Sequence, residues 1–146
     1  MKYSVKRFSW LESYLENEEE IASLQISLNR SRIELTRWVE GDLAKVRLEK
    51  GSRASRLEEI ISENERLLRE DISLREQTLD LINHFDGIEN EILKRKYVKG
   101  MSLIEIADCD DIGYSYSTVK KIHAELKRTL RFLDKWDLPE KSSKKE

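Results

Sequence analysis

Residues 88–132 read IENEILKRKYVKGMSLIEIADCDDIGYSYSTVKKIHAELKRTLRF, and they predict the architecture of the C-terminal part of the chain. Breaks at Gly100 and Gly113 divide the stretch into three helical segments, because glycine ends helices and supplies positive φ in turns. Between the breaks, Ser102 and Glu105 have the spacing of a capping box, which opens the second helix. Apolar side chains recur at helical steps in the first segment, namely Ile88, Ile92, Leu93, Tyr97 and Val98.

The last segment is an amphipathic helix with a basic face. Ser115 is its expected N-cap. The inner stripe consists of Val119, Ile122, Leu126, Leu130 and Leu133. The opposite face carries Tyr116, Ser117, Lys120, Lys121, His123, Ala124, Lys127 and Arg128. Residues 115–133 hold five Lys or Arg and one Glu, which suits a polyanionic partner, so the pattern predicts a helix-turn-helix module that binds DNA.

Within this module two kinds of DNA contact are expected. The candidates for reading bases in the major groove are Tyr116, Ser117, Lys120, Lys121 and His123. The candidates for holding phosphates are Lys99, Ser102, Thr118, Lys127, Arg128 and Arg131. Basic side chains on an exposed helix are often only solvated, but here they coincide with the third helix of a three-helix pattern, which favours DNA binding.

These residues resemble region four of bacterial sigma factors and related helix-turn-helix regulators. The shared pattern runs roughly Gly-x-Ser-x-x-Glu-Ile-Ala and then Gly-x-Ser-x-x-Thr-Val-Lys. It is occupied here by Gly100, Ser102, Glu105, Ile106, Ala107, Gly113, Ser115, Thr118, Val119 and Lys120. The layout of the whole chain is similar to that of small phage and prophage regulators of Gram-positive bacteria, including the ArpU-type late-transcription group. The resemblance implies a transcription regulator, although the five residues between Ala107 and Gly113 make a longer and more acidic turn than the family has.

Composition favours an all-α protein. The 146 residues are 38% charged and 38% hydrophobic, with one proline and five glycines, which suits long helices. The net charge of −2 is unevenly spread, because residues 1–86 hold 14 basic and 18 acidic side chains while residues 88–133 hold nine and seven. Charge acts over a Debye length of about 10 Å, so a basic last helix can approach DNA despite the overall balance.

Several kinds of chemistry are not expected. Cys109 is the only cysteine, and His84 and His123 are too few for a metal site or a catalytic pair, so we expect no metal, no cofactor and no enzyme activity. Phosphate-loop and nucleophile-elbow motifs do not occur. A single cysteine and the lack of a long apolar run indicate a cytoplasmic protein that does not enter a membrane.

The first 86 residues predict two long helices. Ser9 and Glu12 have capping-box spacing, and the segment they open has no helix breaker before Gly41. Along it, apolar residues form a heptad seam with polar interruptions at Asn17 and Ser31. The seam consists of Trp10, Tyr14, Ile21, Leu24, Leu28, Leu35 and Trp38, and the last six of these are the expected oligomerisation seam.

A second helix is expected from another capping box at Ser55 and Glu58, after a loop containing Gly41, Gly51 and Ser52. It should end at Asp86 and Gly87. Its apolar stripe is Leu57, Ile60, Ile61, Leu67, Leu68, Ile72, Leu79, Leu81, Ile82 and Phe85, interrupted by Asn64, Asp71 and Arg75. The two helices either fold back as an antiparallel hairpin or pair with copies of themselves, and both arrangements favour a homodimer or a higher homo-oligomer.

The domains expected are therefore a helical oligomerisation region over residues 1–86, a sigma-region-four-like module over residues 87–135 and a tail over residues 136–146. The favoured function is a sequence-specific regulator of phage or prophage origin that binds double-stranded DNA, with RNA polymerase as a second candidate partner. One alternative is a small terminase subunit for DNA packaging, which a ring of eight or more copies would indicate. Another is a helical factor that binds RNA polymerase or another host protein without reading DNA.

Overall fold

The computed structural model describes residues 6–40 and 47–143, so the expected loop residue Gly41 lies outside the described residues. It contains six α-helices: α1 (Arg7–Glu12), α2 (Tyr14–Val39), α3 (Arg47–Asn83), α4 (Gly87–Leu93), α5 (Leu103–Ala107) and α6 (Tyr116–Ser143). A single π-helical turn, Lys94–Val98, continues α4. No strand occurs within these ranges, and the expected all-α class is confirmed.

The helix boundaries differ from the expected ones in the N-terminal half. Helix α1 begins at Arg7, so Ser9 lies inside it rather than capping it, and a break at Ser13 separates α1 from α2. Helix α3 begins at Arg47 and runs through Ser55, so this second capping box is also wrong. Glycine and serine have low helix propensity, but a long helix can include them in its first turns. The packing energy of the side chains buried along such a helix outweighs the low propensity of these residues.

Two compact units make up the chain, and their division differs from the expected boundary at residue 86. The first unit comprises Met1–Glu16 and Leu74–Glu146, and the second comprises Asn17–Ser73. The helix-turn-helix segment therefore shares its unit with α1 and with the last part of α3. Helix α6 continues to Ser143, into the part of the chain expected as a tail from residue 136.

The second unit is an antiparallel helical hairpin. Residues further along α2 pair with residues earlier in α3, in the order Asn17 with Asp71, Arg32 with Glu65, and Glu34 with Arg53. The buried Asn17 amide donates to the main-chain carbonyl of Asp71 at 2.8 Å, so a polar interruption of the seam helps to fix the register. The hairpin arrangement is thus formed within one chain.

The heptad seam of α2 is covered within the chain. Tyr14, Ile21, Leu28 and Trp38 are buried, and Leu24 and Leu35 are half-buried. The side chains predicted as the oligomerisation seam thus pack largely within one chain, which corresponds to the hairpin among the two arrangements that the sequence left open.

Truncating the seam should destabilise the hairpin. Leu28 is 2% exposed, so Leu28→Ala should lower the free energy of unfolding by about 2–5 kcal/mol. The matched control is Asn29→Ala on the neighbouring exposed position, for which we expect a change within about 0.5 kcal/mol. Urea denaturation followed by circular dichroism measures both, and equal effects of the two changes would contradict a buried seam.

Candidate nucleic-acid interface

The core of the first unit holds the three helices of the predicted module together. Ile92, Ile106 and Val119 come from α4, α5 and α6 in turn, and each is fully buried. They belong to one cluster that also contains Phe8, Leu11, Ile82, Leu93, Tyr97, Ile112, Leu126 and Leu130. The helical packing predicted for residues 88–132 is therefore present, with its apolar sides facing one another.

The local signals between the helices are also present. Ser102 Oγ accepts from the Glu105 N–H at 3.1 Å, and the Glu105 carboxylate accepts from the Ser102 N–H at 2.8 Å, which completes the capping box. Gly100 and Gly113 have φ values of +75° and +73°, as their turns require. Both breaks thus form for the reasons that the sequence indicates.

The long acidic turn is fixed to the preceding helix by Arg95. Its guanidinium donates two hydrogen bonds to the Asp111 carboxylate, at 3.0 and 2.6 Å, and a third to Glu91 at 3.0 Å. This pairing holds the pKa of the Asp111 carboxyl below its usual range and raises the pKa of Arg95. Ile112, next in the chain, is buried in the core. The acidic turn is therefore held by a bidentate ion pair and one buried apolar side chain.

Four of the five base-reading candidates lie on the exposed face of the N-terminal part of α6. Tyr116, Ser117, Lys120 and Lys121 are all exposed within two turns of helix. The Lys120 ammonium lies 5.6 Å from the centre of the Tyr116 ring, in a cation–π contact. Ser115 caps this end of α6, since its Oγ accepts from the Thr118 N–H at 3.2 Å. The first turns of α6 therefore present hydroxyl and ammonium groups to solvent.

His123, the fifth candidate, does not belong to that face. Its ring is buried, and its Nε2 lies 2.6 Å from the Tyr97 hydroxyl in a hydrogen bond. Burial, with the nearby charges of Lys96 and Lys127, lowers the pKa of His123 to about 4. The expected base contact is thus corrected, because α6 turns position 123 toward the π-helical turn after α4. Leu133 was predicted to lie in the buried stripe of α6, but it is exposed, and the neighbouring Asp134 is buried instead.

The six residues predicted to contact phosphates have three different kinds of surroundings. Lys99 is exposed, and Arg128 is exposed but paired with Glu125 at 2.5 Å. Lys127 and Arg131 both lie over the ring of Phe8, at 5.3 and 5.2 Å from its centre. The remaining two candidates act in helix caps, where the Ser102 hydroxyl accepts from Glu105 and the Thr118 hydroxyl accepts from Ser115.

Sequence reasoning missed α1 as a part of this surface. Phe8 packs edge-on against Tyr97 with ring centres 6.0 Å apart, and Asp134 of α6 accepts from the Arg7 N–H at 2.9 Å at the start of α1. The Arg7 guanidinium also pairs with Asp134 at 3.4 Å. No local pattern could have revealed these contacts, because the partners stand far apart in the sequence.

Other kinds of site receive no support among the described residues. Within residues 6–40 and 47–143, no three His, Cys, Asp or Glu side chains are grouped so that they could hold a metal ion. None of the helices in those ranges combines the length and apolar character needed to cross a membrane.

Comparison with known proteins finds no matching family model, no matching curated protein and no matching solved structure.

The buried histidine should make stability depend on pH. In the unfolded chain His123 binds a proton near its ordinary pKa of 6.5, whereas in the folded chain it does so only near a pKa of about 4. The free energy of unfolding should therefore fall by on the order of 1–3 kcal/mol as the pH falls from 6.5 to 4. His123→Gln, whose amide can still meet the Tyr97 hydroxyl, should flatten this part of the curve. His84→Gln changes the exposed histidine and is the matched control. Urea midpoints from pH 7 to 4 measure the effect, and parallel curves for His123→Gln and wild type would contradict it.

Proposed function

We propose that this protein is a sequence-specific DNA-binding transcription regulator whose α6 enters the major groove of double-stranded DNA. The observation that carries the proposal is the exposed face of α6 formed by Tyr116, Ser117, Lys120 and Lys121. It lies on the helix that follows a capped helix and a turn, which is the position of the recognition helix in helix-turn-helix proteins.

The charge around this face supports the proposal. Further cations follow along α6 at Lys127, Arg128 and Arg131, while Glu125 is the only acidic residue between 115 and 133. Phosphate contacts of this kind set register and orientation, whereas Lys120 and Lys121 reach the base edges. A neutral His123 beneath the face gives α6 a packed support rather than another charge.

The resemblance to sigma region four and to phage regulators adds the class of regulator to this proposal. Its motif residues Ser102, Glu105, Gly113 and Ser115 perform the capping and turn roles that the pattern requires. The proposed regulator combines this module with the helical hairpin. We propose that it is encoded by a phage or prophage and acts in the cytoplasm as a homo-oligomer.

Removing the two lysines should weaken base reading without unfolding the protein. Lys120→Ala with Lys121→Ala should reduce binding to a duplex selected from a random pool by roughly 1–3 kcal/mol for each lysine that pairs with a base edge. The matched control removes two exposed cations of α3 by Arg56→Ala with Arg69→Ala. Fluorescence anisotropy with selected and random duplexes measures both. If the lysine variant keeps the wild-type preference for the selected duplex, α6 is not the reader.

The ring of Phe8 should matter for the phosphate contacts. Phe8→Leu keeps an apolar side chain but removes the surface on which Lys127 and Arg131 rest, so binding to every duplex should weaken roughly two- to fivefold. The slope of log affinity against log salt should also become less steep, because fewer counterions are released. Phe132→Leu, which changes an exposed aromatic residue of α6, is the control. An unchanged salt slope in folded Phe8→Leu protein would show that the ring does not position these cations.

A further inference from the structure

Tyr116 and Lys120 form a pair on the exposed side of α6. They stand four residues apart, so their side chains are neighbours on the helix surface. The Lys120 ammonium lies 5.6 Å from the centre of the Tyr116 ring, within the range of a cation–π contact. Both residues are exposed to solvent. The ring therefore covers one side of the ammonium, and the other sides stay open to a partner.

The backbone that carries this pair is fixed from two directions. Ser115 caps the start of α6, where its Oγ accepts from the Thr118 N–H at 3.2 Å. On the inner side of the helix, Val119 and His123 are both buried in the core of the first unit. A functional side chain on a packed helix keeps its position better than one on a loop. The main freedom left to Lys120 is thus that of its own side chain.

The flexibility of a lysine side chain works against its use in base recognition. The ammonium is carried on a four-carbon stem, and immobilising such a side chain on binding costs free energy. A ring that already holds the ammonium lowers this cost, because less freedom is lost on binding. Lys120 has such a ring. None of the aromatic rings in residues 6–40 and 47–143 makes the same contact with Lys121, the next residue in the chain.

We propose that Tyr116 acts on DNA through Lys120, because its ring positions the ammonium for a base edge in the major groove and does not itself contact a base. Tyr116 is then a positioning residue, whose ring matters and whose hydroxyl does not. Of the two lysines that reach base edges, Lys120 is the one that is held in place before DNA binds. This positioning role rests on the proposed function, since the base contact belongs to that function.

The first test examines the pair in the full chain without DNA. Protons above the face of an aromatic ring are shielded, so the side-chain NMR signals of Lys120, assigned with a Lys120→Arg variant, should lie upfield in wild type and in Tyr116→Phe. In Tyr116→Leu they should return to the ordinary lysine position. Tyr114→Leu removes another exposed tyrosine near the start of α6 and should leave them unchanged. Ordinary Lys120 signals in wild type, or an equal shift in the Tyr114 variant, would overturn the proposal.

The second test is a double-mutant cycle on DNA binding, followed by fluorescence anisotropy with the selected duplex. Tyr116→Leu should weaken binding about two- to fivefold, whereas Tyr116→Phe should bind like wild type because it keeps the ring. In a Lys120→Ala background the change to leucine should have no further effect. The matched background is Lys121→Ala, in which the same change should weaken binding as much as it does in wild type.

The outcomes of the cycle separate the positioning role from the proposed function. Equal losses in Tyr116→Phe and Tyr116→Leu would assign the contact to the hydroxyl and overturn the positioning role. A loss in Tyr116→Leu that persists in the Lys120→Ala background, or no loss in the wild-type background, would also overturn it while α6 remains the reader. A wild-type protein without preference for the selected duplex would overturn the proposed function, and the positioning role with it.

Discussion

Helix α6 can be placed in only one rotation about its axis, and the arrangement of the first unit follows from that rotation. Val119, His123, Leu126 and Leu130 recur every three or four residues and are all buried. Once they pack against α4 and α5, Tyr116, Ser117, Lys120 and Lys121 must face solvent. The surface proposed to bind DNA is therefore the side of α6 that does not pack in the core.

The core also explains why a histidine occupies an inward position. The ring of His123 is held by the Tyr97 hydroxyl, so its polar nitrogen is satisfied at 2.6 Å within an otherwise apolar region. Burial raises the pKa of Tyr97 and lowers that of His123, so both groups are neutral near pH 7. Such a pair joins the π-helical turn to α6 through one specific contact, which fixes rotation more sharply than apolar packing alone.

Helix α1 adds a second support to α6 from outside the three-helix module. Asp134 accepts from the start of α1, and the Phe8 ring lies between Tyr97 and the cations Lys127 and Arg131. In the second unit the hairpin uses the α2 seam internally, which leaves Ile26 and Ile33 on the opposite side. In both units, burying one side of a helix determines which side chains remain for partners.

Short-range patterns were enough to predict the all-α class, the two glycine turns, the Ser102 capping box and the exposure of Lys120 and Lys121, because each depends on residues within a few positions of one another. They also predicted the heptad seam, but not whether that seam is filled by the same chain or by a copy. The start of α3 at Arg47, the inward rotation of His123 and the place of Phe8 beneath Lys127 and Arg131 emerged only from the folded chain. The place of Phe8 depends on contacts between distant parts of the chain, which leave no periodic signal in the sequence. His123 does fall on the inward spacing of Val119 and Leu126, but its burial requires the distant Tyr97 hydroxyl as a partner, which only the fold supplies.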